Sequence, residues 1–320
     1  MARNWFRLDE FSGNMVSMKH PLPAGIIPYL PTPVTSSGTL DNNALHRLVD
    51  ALAEAGVSGL SPLGSTGELP SISDAVADDV VENVVDYAGE LPVVPGVLSG
   101  TTTNAATRVA TITALGASGI VAMIRPWGKV SQASMTEYFN AMATATDLPL
   151  VLYRQPSLGA QPDLNTLIEL SKVPNIYALK DASPNTGFLM SLTTAGSELE
   201  LYSASSHVQM LVWELGGRGW MGGPCCIAPR SSVAMWNYYQ AGDRDSAWRL
   251  QRGLWPLCRA FAAFGPAPMV KGGLALTGLD VGTPFAPLES LNSSQVQTVR
   301  DAIDAARQAR ADLGLDTAVL

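Results

Sequence analysis

Short apolar runs alternate with longer amphipathic stretches along the chain, and the alternation repeats about eight times. The intervening amphipathic stretches, such as residues 41–55 and 105–115, predict crossover helices that end at Gly56 and Gly116. Eight such βα units favour a closed (β/α)8 TIM barrel over an open sheet. The predicted strands are residues 25–30, 57–63, 92–98, 119–124, 149–153, 175–180, 199–203 and 219–223.

Two further helical patterns follow the eighth predicted strand, at residues 243–263 and 293–311. A Gly/Pro-rich segment, residues 265–287, separates them and is too apolar for a free tether. We expect a C-terminal helical extension here and not an independent catalytic domain. The predicted organisation is an N-terminal arm (1–22), a catalytic barrel (23–240) and a C-terminal helical extension (241–320).

Composition narrows the class of partner. Hydrophobic residues make up 47% of the chain, and the formal net charge is -8 at pH 7 without an offsetting basic run. A small metabolite is therefore favoured, and a nucleic acid or an anionic membrane is disfavoured. Residues 1–20 hold no apolar stretch of the length that a signal peptide or a membrane span requires, so we expect a cytoplasmic protein.

The cysteines and histidines do not predict a metal site. Cys225, Cys226 and Cys258 are an odd number with two neighbours, which suits neither a disulfide framework nor a metal knuckle, so we expect reduced, buried thiols. The histidines have no carboxylate or cysteine at ligand spacing. They are His20, His46 and His207.

Lys180 is the strongest candidate for chemistry, because active sites of TIM barrels lie at the carboxyl ends of the strands and Lys180 ends the sixth predicted strand. A lysine held in a low-dielectric environment has a lowered pKa, and its free amine can attack a carbonyl. The alternative is a lysine whose ammonium pairs with the adjacent Asp181 or reaches solvent.

Two other strand ends carry polar groups. Tyr153 ends the fifth predicted strand, where its phenol could relay a proton, although a tyrosine there also serves for packing. The sequence Gly64-Ser65-Thr66-Gly67-Glu68 follows the second predicted strand, where two glycines let the backbone and two hydroxyls face a small anion such as a carboxylate. Taken alone, this segment favours a plain turn, because loops of Gly, Ser and Thr are common.

These features occur together, in order, with the turn at Gly100-Thr101, the Tyr153-x-x-Pro156 motif, the Lys180-Asp181 strand end and residues 219–229. From about residue 24 to 290, the chain resembles the dihydrodipicolinate synthase/N-acetylneuraminate lyase family of class I aldolases. The resemblance implies that Lys180 forms a Schiff base with a 2-oxo acid such as pyruvate and that Tyr153 shuttles protons.

By the same resemblance, Gly64, Ser65 and Thr66 would bind the carboxylate of the 2-oxo acid, with the backbone of Met221 and Gly222 lining the same subsite. The protonated imine withdraws electrons, so neither a metal nor an organic cofactor is expected. Relatives are commonly tetramers built from dimers, so a homo-oligomer, either dimer or tetramer, is expected as well.

The chain departs from this family at two places. Lysine-pathway synthases carry an arginine shortly after the Tyr-x-x-Pro motif, positioned for the carboxylate of the second substrate. Leu158 stands there in this chain. Loss of the guanidinium removes that carboxylate partner and argues against a dihydrodipicolinate synthase. Neuraminate lyases also lack that arginine, but Arg154 stands where they usually have asparagine. Many relatives have Pro-Tyr-Tyr where this chain has Pro126-Trp127-Gly128, and one of those tyrosines contributes to the proton relay of a neighbouring subunit. This chain lacks that hydroxyl, so water or Ser65 would complete the relay, or the chemistry would need less of it.

Trp127 and Met221, with Cys225 and Cys226, indicate a distal pocket that is broader and more apolar than a sugar site, although a tryptophan at a barrel rim is as often packing or interface. The sequence therefore predicts a carbon–carbon lyase or aldolase that joins pyruvate or a related 2-oxo acid to an aldehyde, for which a hydrophobic or aromatic partner fits. Two alternatives stay open: a 2-oxo acid dehydratase or hydratase-aldolase with the same lysine, and a catalytically silent metabolite-binding barrel.

Overall fold

The structure is a computed structural model that describes residues 21–35 and 37–320, so nearly all of the predicted N-terminal arm lies outside the described residues. Seven parallel strands form one sheet, in the order β1-β7-β6-β5-β4-β3-β2. Parallel strands buried on both faces read as continuous apolar runs, which is why the strands were visible in the sequence. They are β1 (Gly25–Pro28), β2 (Gly96–Ser99), β3 (Ile120–Ile124), β4 (Leu150–Arg154), β5 (Ile176–Asp181), β6 (Glu200–Ser203) and β7 (Gly219–Gly222).

The predicted second strand, residues 57–63, does not form a regular strand. It makes isolated parallel bridges, Tyr29 with Ser61 and Leu60 with Val93, and so lies between the two ends of the sheet. Pro62 has no N–H to donate, and Leu63 has a φ of 63°, which interrupts the extended backbone. The architecture is TIM-barrel-like.

Helices connect the strands and cover the sheet. Side-chain caps mark several of their starts; for example, the Asp41 carboxylate accepts the amide of Ala44 at 2.9 Å. The helices are α1 (Asn42–Glu54), α2 (Asp74–Tyr87), α3 (Thr102–Ala114), α4 (Gln132–Thr144), α5 (Leu164–Leu170), α6 (Thr186–Thr194), α7 (Gln209–Glu214), α8 (Pro224–Ile227), α9 (Pro229–Gln240), α10 (Arg244–Phe264), α11 (Pro266–Leu276) and α12 (Ser293–Ala311).

The C-terminal region differs from the prediction in one respect. The Gly/Pro-rich segment 265–287 was predicted as a separator, yet its first part forms helix α11. Pro266 and Pro268 fall in the first turn, where a missing N–H removes no helical hydrogen bond. Helix α12 begins and ends at the predicted residues.

Two buried clusters form the core. The larger one lies between the sheet and the helices. A smaller cluster contains alternate strand residues that face the opposite side, among them Tyr29, Tyr153, Tyr202 and Met221. Four tyrosines in this second cluster give the interior of the sheet an aromatic lining. None of the helices in the described part of the chain is long and apolar enough to cross a membrane.

Candidate active site

A cavity of about 270 Å³ opens at the carboxyl ends of the strands. It gathers residues from β4, β5 and β7 and from the segments that follow β1 and β6, together with residues from the end of α10 and the start of α11. The C-terminal helices therefore form part of the cavity wall. Its lining residues are Tyr29, Ser65, Tyr153, Gln155, Lys180, Ala182, Ala204, Ser205, Ser206, Gly222, Gly223, Phe261, Ala262, Gly265 and Pro266.

Lys180 is placed as predicted, near the end of β5 with its amine in the cavity, and only 3% of the residue is exposed. Its Nζ lies 3.6 Å from the ring centroid of Tyr29 and 4.1 Å from that of Tyr153. Burial lowers the pKa of Lys180 well below its ordinary value, because the surroundings do not solvate an ammonium ion.

Asp181 does not pair with Lys180. Successive strand residues point to opposite faces, and the buried Asp181 carboxylate instead contacts Arg154 Nη1 at 3.1 Å. It also accepts the amide and the hydroxyl of Ser183, at 3.0 and 2.6 Å. Across residues 21–35 and 37–320, no carboxylate lies within ion-pair distance of Lys180 Nζ.

Tyr153 lies on the neighbouring strand in register with Lys180. Burial raises the pKa of Tyr153 to about 12, and interaction with the Ser65 hydroxyl offsets part of that rise. The phenol is therefore protonated at neutral pH and can donate a proton. It lies in the same cavity as the amine and the Ser65 hydroxyl, which is the arrangement that a proton relay requires.

The loop at residues 64–68 packs tightly against its surroundings. A Cβ on Gly64 would lie 2.9 Å from Tyr29 Cδ2, so only glycine leaves room for that ring. Ser65 lines the cavity, whereas the fully buried Thr66 does not; its Oγ1 has no hydrogen-bond partner among the described residues. The end of the loop is fixed by Glu68, whose carboxylate lies 2.7 Å from Lys271 Nζ and accepts the amide of Phe285 at 2.7 Å.

Lys271 falls in the segment 265–287, which was predicted as a Gly/Pro-rich separator and not as a helix. It lies within α11 and is 1% exposed. Burial lowers its pKa, while Glu68 acts in the opposite direction. Its Nζ also donates to the Thr283 carbonyl at 2.8 Å. This buried ion pair joins the hydroxyl loop to the helix whose first residue, Pro266, lines the cavity.

The remaining predicted site residues separate into two groups. Gly222 lines the cavity, and the adjacent Met221 is buried in the interior cluster below it. Trp127 is fully exposed and does not line the cavity that contains Lys180. Cys225 and Cys226 are buried free thiols, as predicted, and neither lines the cavity.

Several lining residues were missed by the sequence analysis. Tyr29 directly follows β1, so its position at a strand end was a usable signal. Ser205 and Ser206 follow β6 in the same way, and the Ser205 hydroxyl is buried without a partner in the described part of the chain. Phe261 and Pro266 gave no local signal, because only the packing of the C-terminal helices brings them to the cavity.

Among the described residues that line the cavity, Lys180 is the sole ionisable cation, and none carries a carboxylate. Apolar atoms from Phe261, Ala262 and Pro266 form one wall; hydroxyls and the Gln155 amide supply neutral polar groups on others. Within the described residues, no three His, Cys, Asp or Glu side chains form a group that could hold a metal ion.

Comparison with known proteins agrees with this geometry. The sequence model of the dihydrodipicolinate synthetase family matches residues 22–306. A 4-hydroxy-tetrahydrodipicolinate synthase from Methanosarcina barkeri is 30% identical over 281 residues, covering 87% of this chain and 96% of that protein. One from Acidiphilium cryptum is 31% identical over 280 residues, covering 85% and 96%.

Solved structures share the fold. Dihydrodipicolinate synthase from Acinetobacter baumannii, determined with pyruvate, gives a TM-score of 0.84 at 24% identity and covers 89% of this chain and 99% of its own. A catalytic lysine mutant of Ruminococcus gnavus sialic acid aldolase gives 0.82 at 22% identity, covering 90% and 97%. The chain belongs to the dihydrodipicolinate synthetase family of class I, pyruvate-dependent carbon–carbon lyases.

Proposed function

We propose that Lys180 forms a Schiff base with pyruvate or a related 2-oxo acid and that the enzyme makes or cleaves a carbon–carbon bond with a neutral aldehyde. One observation carries this proposal: a buried amine without a counterion faces a cavity beside a protonated phenol. An amine in this state is a nucleophile, and the phenol is within the same cavity to supply a proton.

The chemistry follows from the positions of the groups. The Lys180 amine adds to the 2-oxo carbon, and the carbonyl oxygen leaves as water after Tyr153 supplies a proton. The protonated imine withdraws electrons from the neighbouring carbon, which loses a proton to give an enamine, and the enamine attacks the aldehyde carbon. Cleavage follows the same steps in reverse.

The carboxylate of the 2-oxo acid would lie against Ser65 and the Gly222 backbone, with Thr66 holding the loop from behind. The Thr66 hydroxyl supports this placement, because it has no hydrogen-bond partner among the described residues. It lies next to the glycine that follows Gly222: a Cβ on Gly223 would lie 2.8 Å from Thr66 Oγ1. Backbone N–H groups and hydroxyls of such a loop suit an anion.

The electrophile is proposed to be an uncharged aldehyde with an apolar portion. No guanidinium lines the cavity, Arg154 is held by Asp181, and Leu158 packs against the interior cluster that contains Tyr153. A substrate with a second carboxylate would therefore lack a cationic partner. The names of the relatives indicate a dicarboxylate product for those enzymes, and this cavity supports a different aldehyde for this one.

The proposal also covers the closure of the barrel and the oligomeric state of the enzyme. We propose that the scaffold is a closed eight-stranded barrel in which residues 58–62 occupy the position of the second strand. Backbone hydrogen bonds on both sides support this: Ser61 N donates to Pro28 O at 2.9 Å, and Val94 N donates to Leu60 O at 2.8 Å. We also propose a cytoplasmic homo-oligomer, with the fully exposed Trp127 at an interface. Light scattering of the purified protein tests the oligomeric state.

Borohydride reduction in the presence of pyruvate tests the Schiff base. We expect a covalent adduct that peptide mass spectrometry locates on Lys180, and none in Lys180→Ala. Lys129→Ala, in a rim loop, is the matched control. Absence of any adduct in the wild type would favour a metabolite-binding barrel.

An aldehyde panel offered with pyruvate then identifies the electrophile. Aromatic and aliphatic aldehydes should be turned over better than aldehydes that bear a carboxylate. Analysis of the product for loss of water separates an aldolase from a hydratase-aldolase or dehydratase, since all three use the same lysine.

A further inference from the structure

Tyr29 lies against the reacting nitrogen. Its ring centroid is 3.6 Å from Lys180 Nζ, closer than that of Tyr153, and the two rings are perpendicular, with centroids 6.3 Å apart. The amine therefore lies over the faces of two aromatic rings at once. Tyr29 has no role in the proton transfers proposed above and was not among the predicted site residues.

The fold holds this ring in one position. Tyr29 is 1% exposed, belongs to the interior cluster and packs on Gly64, where any Cβ would overlap with the ring. Lys180 Nζ is the cation over this face among the described residues. The ring is thus fixed before any substrate binds, with its face directed at the amine.

The face of an aromatic ring carries partial negative charge and attracts a cation, most strongly where water is excluded. In the resting enzyme this attraction does not prevail, because burial lowers the pKa of Lys180. Once the imine forms and is protonated, the positive charge lies on the same nitrogen. Among the described residues no protein carboxylate lies within ion-pair distance of that nitrogen, so the two rings are the protein groups that face the charge, beside the carboxylate of the bound 2-oxo acid.

We propose that Tyr29 is a further catalytic residue, whose ring face stabilises the protonated imine on Lys180. This inference rests on the proposed Schiff-base function. The ring raises the population of the protonated imine, from which the C3–H bond then breaks: its electrons form the enamine double bond, the C=N electrons return to nitrogen and the proton passes to solvent water. It acts before the aldehyde enters, so its effect is independent of which aldehyde is used.

Exchange of the pyruvate methyl protons in D2O, followed by proton NMR at pyruvate concentrations below saturation, measures imine formation and loss of the C3 proton together, without an aldehyde. Tyr29→Phe keeps the ring and should exchange within about twofold of the wild type, whereas Tyr29→Leu should be slower on the order of tenfold. Tyr29→Met, which fills space flexibly, repeats the test if the leucine variant does not fold. Tyr177→Leu removes another ring of the same cluster that does not contact Lys180, and it should exchange at the wild-type rate.

The outcomes separate the two proposals. A wild type that neither exchanges nor forms a borohydride adduct removes the proposed function itself. A wild type that exchanges while Tyr29→Leu and Tyr29→Met match it overturns the role of Tyr29 alone. Equal losses in Tyr29→Phe and Tyr29→Leu would assign the effect to the buried hydroxyl, and so would also overturn a role for the ring face.

Discussion

Arg154 Nη1 lies 3.1 Å from Asp181 Oδ1 and holds that carboxylate on the face of β5 opposite the Lys180 amine. The Arg154 guanidinium also lies over the Phe188 ring, 4.1 Å from its centroid. Lys180 and Asp181 are neighbours in sequence, yet the strand separates them and the arginine makes the separation stable. Lys180 therefore has no counterion among the described residues, since the adjacent Asp181 carboxylate pairs with Arg154.

Removing Arg154 should therefore destabilise the fold. Arg154→Met leaves Asp181 buried with only Ser183 as a partner, and we expect a loss of about 3 kcal/mol in the free energy of unfolding, measured by urea denaturation. The double variant Arg154→Met with Asp181→Asn should recover most of that loss, because no buried charge is left unpaired. A double variant as unstable as the single one would contradict this account.

Tyr153→Phe should separate imine formation from turnover. Removing the phenolic proton donor is expected to slow the overall reaction about 100-fold or more. Borohydride should still trap pyruvate on Lys180 at saturating concentration, more slowly than in the wild type, because the amine and the loop are unchanged and only the proton donor is lost. Turnover at the wild-type rate would mean that another group carries the proton.

Imine formation should depend on pH through Lys180. The amine is neutral above its pKa, which burial lowers well below the ordinary value, so the trapping rate should rise with pH and level off far below the range in which an exposed lysine titrates. Tyr153, with a pKa of about 12, stays protonated throughout. The measurement is the rate of reductive trapping against pH. A rise confined to the range of an ordinary lysine would show that the amine is not desolvated.

The buried Glu68–Lys271 pair predicts coupled effects on stability and on binding of the 2-oxo acid. Lys271→Met leaves a buried carboxylate and should cost about 3–5 kcal/mol. The double variant Glu68→Gln with Lys271→Met should recover stability, because no buried charge is left unpaired. Its KM for pyruvate should remain above that of the wild type, because the ion pair no longer joins the loop at residues 64–68 to α11. Recovery of KM together with stability would reduce the pair to a packing role.

Gly222 and Gly128 form a matched pair for alanine substitution. A Cβ on Gly222 would lie 2.5 Å from Ser205 Oγ and 2.6 Å from Trp220 Nε1, whereas one on Gly128 would meet nothing within 4 Å. Gly222→Ala should raise KM for pyruvate by displacing the wall of its subsite, and Gly128→Ala should leave kcat and KM unchanged. Steady-state kinetics of both variants checks the contrast; similar values for the two would remove Gly222 from the subsite.

The sequence could predict Lys180, Tyr153 and Ser65 as neighbours because strand ends of a barrel converge at one face, whatever the separation along the chain. It could not predict Lys271, since a buried lysine inside a helix becomes visible only when its partner Glu68 is brought to it. The direction of the loop that carries Trp127 is likewise not set by any periodicity. The irregular second strand was misjudged because apolar content alone does not reveal the backbone turn at Leu63.

Phe261 and Pro266 cover the cavity from helices that follow the last strand. The groups proposed to activate the ketone and the apolar groups proposed to face the incoming aldehyde therefore come from separate stretches of the gene. Exchanging the C-terminal helices with those of a relative would be a way to alter which aldehyde is accepted, while the lysine and the phenol continue to perform the same first steps.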